Sequence, residues 1–439
     1  MNEKLAQALN EVKDAHIEEA AKPRHRKRTV FLRIVAAAAM VALVIGITLA
    51  PPVISARAVS LPGERRGRGD FSTVDAANAA LLEFYKEGSR QFVDGSGNSI
   101  WSPVNAFIGL AMVAELTEGN SRQQILDLFS VEDLETLRSY VTNIWEQVYQ
   151  GGNEACTLAN SLWLEESLSY EQDAMDNLAY YYYASVYKGK MGSKKMNKSI
   201  GAWLEKNTGG LLKNATDNIA LSPETVLALY STIYLRGTWY EEFSKSDNTK
   251  GVFHSSVGNQ TVTYMNQKEM AMTYYWADNF SAVRKHLKNG TSMWFILPDE
   301  GVSPQQLLED GQYMQMLCGQ WENHGEYKVN LTVPKFDISG GVQLRQGLME
   351  MGLTDVFDPA KADFSAITSD TPVCLTRANQ KVRVIIDEEG VKAAAYIELP
   401  NAGAAAPPED IVDFVVDRPF LFAITSDSVP LFVGSIDQP

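Results

Sequence analysis

A regular alternation of apolar and polar residues lies near the C-terminus. Every second residue from Val391 to Leu399 is apolar, and the residues between them are a lysine, an alanine, a tyrosine and a glutamate. Successive side chains of a β-strand point to opposite faces, so this stretch predicts a strand with one buried face. Gly390 provides a flexible start, and Pro400 lacks the N–H needed to continue a central strand. The Ala, Gly and Pro residues around it are typical of a surface loop, so the pattern predicts a strand within a loop.

The pattern along the rest of the chain changes from helical to strand-like. Apolar residues recur at helical spacing over residues 75–86, 106–116 and 121–129. The second half is rich in β-type runs, such as residues 227–235 and 293–298. The chain from Phe71 onward therefore has the pattern of one large domain.

An almost continuous apolar run precedes this domain. Residues 29–52 are long enough to span a bilayer, and they follow a polar head, residues 1–28, that ends in a basic cluster. Basic residues before the run and few after it place the N-terminus in the cytoplasm and the rest outside. We expect a retained single-pass signal-anchor in the cell membrane, then a Gly-rich charged linker, residues 53–70, and the domain at 71–439. The alternative is a signal peptide cleaved after Ala58, which would give a secreted protein.

The composition is that of a folded, acidic protein. The chain has 439 residues, is 45% hydrophobic and carries a formal net charge of -15, which argues against nucleic acid as a partner. Cys156, Cys318 and Cys374 have neither disulfide-framework density nor paired-ligand spacing; one pair could form, and buried thiols are the expectation. The histidines show no ligand spacing, and no hydrolase, zinc or phosphate-loop motif occurs. We therefore expect no metal, no cofactor and no enzymatic activity, and a monomeric protein.

The residues around Gly390 form a motif. Glu388-Glu389-Gly390-Val391-Lys392-Ala393-Ala394-Ala395 resembles the proximal hinge of the reactive-centre loop of the serpins. In that family the cleaved bond lies about fourteen residues after the glycine, and a Pro-Pro-Glu often follows closely, as Pro407-Pro408-Glu409 does here. Counting forward from the glycine and back from the prolines gives the same bond, Ala404–Ala405.

Further motifs between residues 71 and 439 resemble the same family. They are Trp101-Ser102-Pro103-Val104-Asn105 before a helix, Ala159-Asn160-Ser161-Leu162-Trp163, an amphipathic helix beginning at Ile200, and the turn Gly237-Thr238-Trp239. The resemblance implies an α+β serpin fold. Such a fold has a large central β-sheet, two smaller sheets, eight or nine helices and an exposed reactive-centre loop.

The resemblance also implies a polar cluster where the central sheet opens. Its members would be Ser102, Asn105, Ser231 and Gln380, with Trp239 covering the opening point. Serpins usually have a histidine at the position of Gln380 and a serine at that of Asn105, so the cluster is rewritten in this chain. Glutamine and asparagine can still form hydrogen bonds at these positions.

The function implied by the resemblance is suicide-substrate inhibition of extracellular serine endopeptidases. A protease would cleave Ala404–Ala405 and remain attached as an acyl-enzyme while the freed loop inserts into the central sheet. Ala404 is small and uncharged, which suits an elastase-like pocket, and subtilisin-like proteases are further candidate targets. Three alternatives remain: a non-inhibitory serpin-fold binding protein, a membrane-tethered receptor-like protein at the cell surface, and an extracellular hydrolase without a recognisable motif.

Overall fold

Among the described residues, the helices are concentrated before residue 208, as the periodicity predicts. The computed structural model describes residues 54–152, 155–208, 221–368, 372–376, 378–391 and 410–439, and these ranges contain nine α-helices. They are α1 (Phe71–Phe92), α2 (Pro103–Glu115), α3 (Gly119–Leu128), α4 (Leu134–Val148), α5 (Gln172–Tyr181), α6 (Lys194–Asn207), α7 (Pro304–Asp310), α8 (Gln312–Leu317) and α9 (Arg345–Glu350).

Local sequence explains where the first two helices begin. The Asp70 side chain accepts a hydrogen bond from Thr73 N at 3.1 Å and so caps α1. α2 begins with Pro103, whose fixed φ and missing N–H suit the first helical position. Almost every residue of α2 is buried, because the helix packs against strands of both sheets.

The sheet that corresponds to the predicted large central sheet has seven strands. Their order is β1-β4-β3-β5-β13-β12-β11. Neighbouring strands are antiparallel except β3 and β4, which are parallel. The helix α6 packs across β3 and β5, and its Ile200 and Trp203 share a buried cluster with Trp163 and Tyr187. The strands of this sheet are β1 (Arg57–Ser60), β3 (Ala155–Glu165), β4 (Ala184–Gly189), β5 (Leu227–Thr238), β11 (Phe336–Gln343), β12 (Asn379–Ile386) and β13 (Gly390–Val391).

The two smaller sheets of the prediction are joined into one nine-stranded assembly. They share the 19-residue strand β7, which pairs with β6 over residues 258–264, with β10 over residues 264–275 and with β8 over residues 274–276. The path runs β14-β10-β7-β8-β9-β15-β16-β2, with β6 beside β7. The strands are β2 (Ser99–Trp101), β6 (Thr249–Ser255), β7 (Gly258–Trp276), β8 (Phe280–His286), β9 (Thr291–Pro298), β10 (His324–Pro334), β14 (Ile411–Val415), β15 (Phe420–Ser426) and β16 (Val429–Ile436).

Residues 54–70, interpreted above as a linker, are packed onto the domain. β1 pairs with the edge strand β4, and Ser55 N donates a hydrogen bond to Ser199 Oγ at 3.1 Å. The Arg66 guanidinium lies 4.2 Å from the centroid of the Tyr180 ring. The head and the apolar run, residues 1–28 and 29–52, lie outside the described residues. Within the described ranges, no helix combines the length and apolarity that a membrane span requires.

The three cysteines are free thiols. Cys156 and Cys318 are buried, as predicted, and burial raises the pKa of each to about 12. Cys374 differs from the expectation because it is only partly buried.

Candidate functional site

The turn that joins β12 to β13 is built around one aspartate and one glycine. Asp387 Oδ1 accepts hydrogen bonds from the N–H groups of Glu389 at 2.9 Å and Gly390 at 3.2 Å. Gly390 has φ +142°, and a Cβ there would lie 2.3 Å from the carbonyl oxygen of Gly237. Only glycine can therefore occupy this position without moving β5.

Trp239, just after β5, forms hydrogen bonds to the turn between β12 and β13, which is the predicted hinge. Its indole Nε1 donates a hydrogen bond to the Asp387 carbonyl at 2.9 Å, and its backbone N donates to the Glu389 carbonyl at 3.0 Å. Phe243 N donates to the intervening Glu388 carbonyl at 3.1 Å. The whole Trp239 side chain is buried. Three successive hinge carbonyls are thus satisfied by one short segment after β5.

Glu388 is a buried carboxylate with two polar partners. Its side chain is 6% exposed, forms an ion pair with Lys335 and accepts a hydrogen bond from Asn248. Burial acts to raise the pKa of Glu388, but the ion pair with Lys335 and the hydrogen bond from Asn248 outweigh it and lower the pKa to about 2. Glu389, in contrast, pairs with Lys245 at 2.7 Å in an exposed position.

We expect Glu388→Gln to lower the free energy of unfolding at pH 7 by roughly 1.5–3 kcal/mol, because a charged hydrogen-bonded group is lost. The thermal midpoint should fall accordingly. The pKa of Glu388 is depressed in the folded state. Its contribution is therefore complete above the usual value of 4.5 and disappears as the pH falls towards about 2. Melting curves should show that the difference between wild type and variant shrinks across this window. Glu389→Gln is the matched control and should leave the midpoint unchanged; equal effects of both variants would contradict this assignment.

The hinge occupies only the first part of a strand position between β5 and β12. Gly390 pairs with Thr238, and Val391 pairs with both Gly237 and Ile386. Beyond these two residues, no described strand lies between β5 and β12, and the two strands do not pair with each other within the described ranges. Among the described residues, Gly390–Val391 alone therefore occupies the strand position between β5 and β12.

The observed register predicts which residues an inserted loop would bury. Directly opposite residues in neighbouring strands point to the same face of a sheet. Continuing the antiparallel pairing from Val391 places Ala393 opposite Leu235 and Val384, Ala395 opposite Ile233 and Val382, and Ile397 opposite Ser231 and Gln380. The β12 side chains of this set are buried. The alternating stretch would thus enter the sheet with its apolar side towards the core.

The polar cluster predicted from sequence consists of two hydrogen-bonded groups, one on each side of this strand position. On the β12 side, Gln380 Oε1 accepts from Ser102 N at 2.7 Å, and Gln380 Nε2 donates to the Ser102 carbonyl at 2.9 Å. On the β5 side, Asn105 Nδ2 donates to the Ser231 carbonyl at 3.1 Å. Since Ser102 and Asn105 lie at the start of α2, this helix connects the two sides.

The Ser231 hydroxyl has two amide oxygens within reach but only one proton to donate. Its Oγ contacts Asn105 Oδ1 and lies 2.7 Å from Asn160 Oδ1. Asn160 on β3 was not predicted as a member of the cluster, although it faces the same buried side. The partners of Glu388, Lys335 and Asn248, were also missed.

Trp239 does not join the other four predicted cluster residues. It follows Ser231 by eight residues along β5 and the chain just after it, which corresponds to about 26 Å of extended chain. It belongs to the hinge instead. Of the other predicted site residues, the side chain of Val391 and the whole of Ala393, Ala394, Ala395, Ala404 and Ala405 lie outside what the structure describes, so their roles remain predictions.

A seven-stranded sheet with a Glu-Glu-Gly hinge between β5 and β12 is the arrangement that the resemblance implies. The chain belongs to the serpin family: the family model described as "Serpin (serine protease inhibitor)" matches residues 76–439. This agrees with the prediction of an inhibitor rather than an enzyme, and it confirms the family named by the resemblance.

Relatives and solved structures agree with this assignment. The chain is 30% identical over 353 residues to an alpha-1-antitrypsin-like protein, GS55-MS, of Ictidomys tridecemlineatus, covering 78% of this chain and 83% of that protein. It is also 30% identical to an alpha-1-antiproteinase of Callosciurus caniceps, covering 83% and 89%. The native-state structure of the thermophilic serpin tengpin matches with a TM-score of 0.72 and 25% identity over 87% of this chain and 97% of that one. AtSerpin1 of Arabidopsis, in its native stressed conformation, matches with a TM-score of 0.70 and 26% identity over 84% and 98%.

Proposed function

We propose that the protein inhibits extracellular serine endopeptidases as a suicide substrate, through cleavage of Ala404–Ala405 and insertion of the freed loop between β5 and β12. The observation that supports this most directly is the hinge, because Gly390–Val391 already pairs with both strands that would flank the loop. A loop that continued this register would turn its apolar residues towards the buried face of the sheet. Relatives named alpha-1-antiproteinase and serine proteinase inhibitor add support for the class of target.

The reactive bond favours proteases with small primary pockets. Alanine at position 404 fills an elastase-like pocket and offers no positive charge to the acidic pocket of a trypsin-like protease. Subtilisin-like proteases also remain candidate targets. We therefore propose elastase-like or subtilisin-like proteases as the partners.

Incubation with elastase, with subtilisin and with trypsin tests this proposal. We expect a protease complex that survives SDS with at least one of the first two, because the acyl-enzyme is a covalent ester. Mass spectrometry should then locate the cut at Ala404–Ala405. Protease with a chemically blocked nucleophile is the control and should form no such complex. Cleavage without a complex would favour the non-inhibitory binding protein instead.

We propose further that residues 29–52 remain as a membrane anchor with the serpin domain outside the cell. Support comes from the residues just after the run. Ser55 and β1 are integrated into the domain, and cleavage after Ala58 would remove the bond to Ser199 and half of β1. Retention keeps these contacts.

The anchor predicts that the mature protein sediments with membranes and keeps residues 1–28. Cell fractionation followed by N-terminal sequencing checks both points, because the long apolar run partitions into the bilayer. A mature N-terminus at Val59, with the protein in the medium, would show that the run is a cleaved signal peptide.

A further inference from the structure

The N-terminal segment reaches the domain at the end of the large sheet that lies opposite the hinge. The hinge pairs with Gly237 and Thr238 at one end of β5. β4 ends with Gly189 opposite Glu165, which is at the other end of β3. β1 begins opposite Lys188, close to that same end. Ser55, two residues before β1, donates a hydrogen bond to Ser199 of α6.

Exposed lysines are concentrated around this point. We define the lysine face as Lys190, Lys194, Lys195, Lys198 and Lys206, all of which are exposed. None of them forms an ion pair in the part of the chain that the structure describes. Residues 186–206 contain six lysines and one glutamate, although the whole chain carries 39 basic and 54 acidic residues. The face is therefore a positive patch on a negative protein.

Helix stability explains Lys206, which lies in the last turn of α6 where a positive charge is favourable, but not the lysines at the start of the helix. Lys194 and Lys195 occupy the first turn of α6, which contains no acidic residue. The N-terminus of a helix carries partial positive charge and favours acidic side chains, so lysines there are slightly unfavourable for the helix itself. The apolar residues of α6, such as Ile200 and Trp203, already hold it on the sheet. The lysines thus point to a partner outside the domain.

The length of the intervening chain identifies that partner. Ser55, which donates a hydrogen bond to Ser199 of α6, comes three residues after Pro52, the last residue of the apolar run. An extended chain spans at most about 3.6 Å per residue, so no more than about 11 Å of chain joins the run to the residue that is bonded to α6. We propose that the lysine face rests on the anionic phospholipid headgroups of the bilayer that holds residues 29–52. This inference rests on the proposed anchorage.

This contact would also orient the inhibitor. An anionic surface repels a domain of net negative charge but attracts clustered lysines close to it, so this one face turns towards the bilayer. The hinge is separated from it by the length of β5, whose 12 residues correspond to about 40 Å. The reactive loop would then face away from the membrane, towards proteases in solution.

Lysine labelling of the full chain in nanodiscs tests the proposal. The protein is inserted into nanodiscs of phosphatidylcholine alone or with phosphatidylglycerol, acylated briefly with an amine-reactive ester, and analysed by mass spectrometry. We expect labelling of the lysine face to fall at least about threefold in the anionic nanodiscs and to recover at high salt, since the attraction is electrostatic. Lys250 and Lys268, which are exposed on β6 and β7, should be labelled equally in both.

A pair of matched double variants separates the face from general charge effects. Lys194→Glu/Lys198→Glu should abolish the protection of the remaining lysines of the face, whereas Lys250→Glu/Lys268→Glu should leave it intact. Equal labelling in both kinds of nanodisc would overturn the proposal. Stronger protection by a soluble sulfated polysaccharide than by anionic nanodiscs would overturn the assignment to lipid.

Failure of the anchorage itself would be visible separately. The chain would then stay outside the nanodiscs. Flotation with anionic vesicles then tests whether the lysine face binds anionic lipid without an anchor. Salt-sensitive flotation that the Lys194→Glu/Lys198→Glu variant loses supports the lysine face as a lipid-binding surface. No flotation overturns it.

Discussion

Replacing Ala395 with arginine is expected to convert the protein from a protease trap into a protease substrate. In the register set by Val391, residue 395 lies opposite Ile233 and Val382 and faces the core when the loop is inserted. Val382 is only 5% exposed, so an arginine there would bury an unpaired charge next to apolar side chains. Such a charge costs several kcal/mol, and each 1.4 kcal/mol changes a rate ratio about tenfold. Insertion would slow while hydrolysis of the acyl-enzyme would not.

The measurement is the number of inhibitor molecules consumed per protease molecule trapped. We expect this stoichiometry to rise at least about tenfold for Ala395→Arg, with cleavage at Ala404 continuing at its usual rate. Ala394→Arg is the matched control. It introduces the same side chain one residue earlier, where the register turns it to the opposite face of the sheet, and it should trap protease almost normally. Unchanged stoichiometry for Ala395→Arg would show that the loop does not insert in this register.

The hinge could be predicted from sequence because its information is local. A glycine followed by an alternating stretch is visible in consecutive residues, whereas the Gly237 carbonyl that excludes a Cβ at this glycine is not. The helical spacing that predicts α1 and α2 is local too, although the predicted ranges, 75–86 and 106–116, begin after the observed starts at Phe71 and Pro103. These features depend on the backbone and side chains of neighbouring residues, so no tertiary partner is needed to recognise them.

The partners of buried polar groups could not be predicted in the same way. Glu388 meets Lys335 across 53 residues, and Ser231 meets Asn160 across 71. A buried carboxylate indicates that a cation must be near, but the topology decides which one. β1 was missed for a related reason. This edge strand has only four residues, which is too few for an alternating pattern to be recognised in the sequence. It is a strand because it pairs with β4.

Cutting the reactive loop is expected to make the protein more stable, not less. The described residues fill the strand position between β5 and β12 only at Gly390–Val391, and an inserted loop would pair with both strands. New backbone hydrogen bonds and apolar burial favour insertion, whereas ordering of the loop opposes it by a similar amount. The net gain should therefore come from strain relieved when the open position is filled. A protein that is cut in an ordinary surface loop, in contrast, becomes less stable or keeps the same stability.

Melting curves before and after limited elastase cleavage measure this gain, with the cut site checked by mass. We expect the midpoint to rise by at least about 10 °C, which corresponds to a gain of roughly 2.5–5 kcal/mol if each kcal/mol shifts the midpoint by about 2–4 °C. Cleaved Ala395→Arg is the decisive control, since its loop is cut at the same bond but should not enter the sheet. It should melt no higher than before cleavage. A wild-type midpoint that stays level or falls would mean that the position between β5 and β12 remains open after cleavage, and a binding role would then explain the fold better than inhibition.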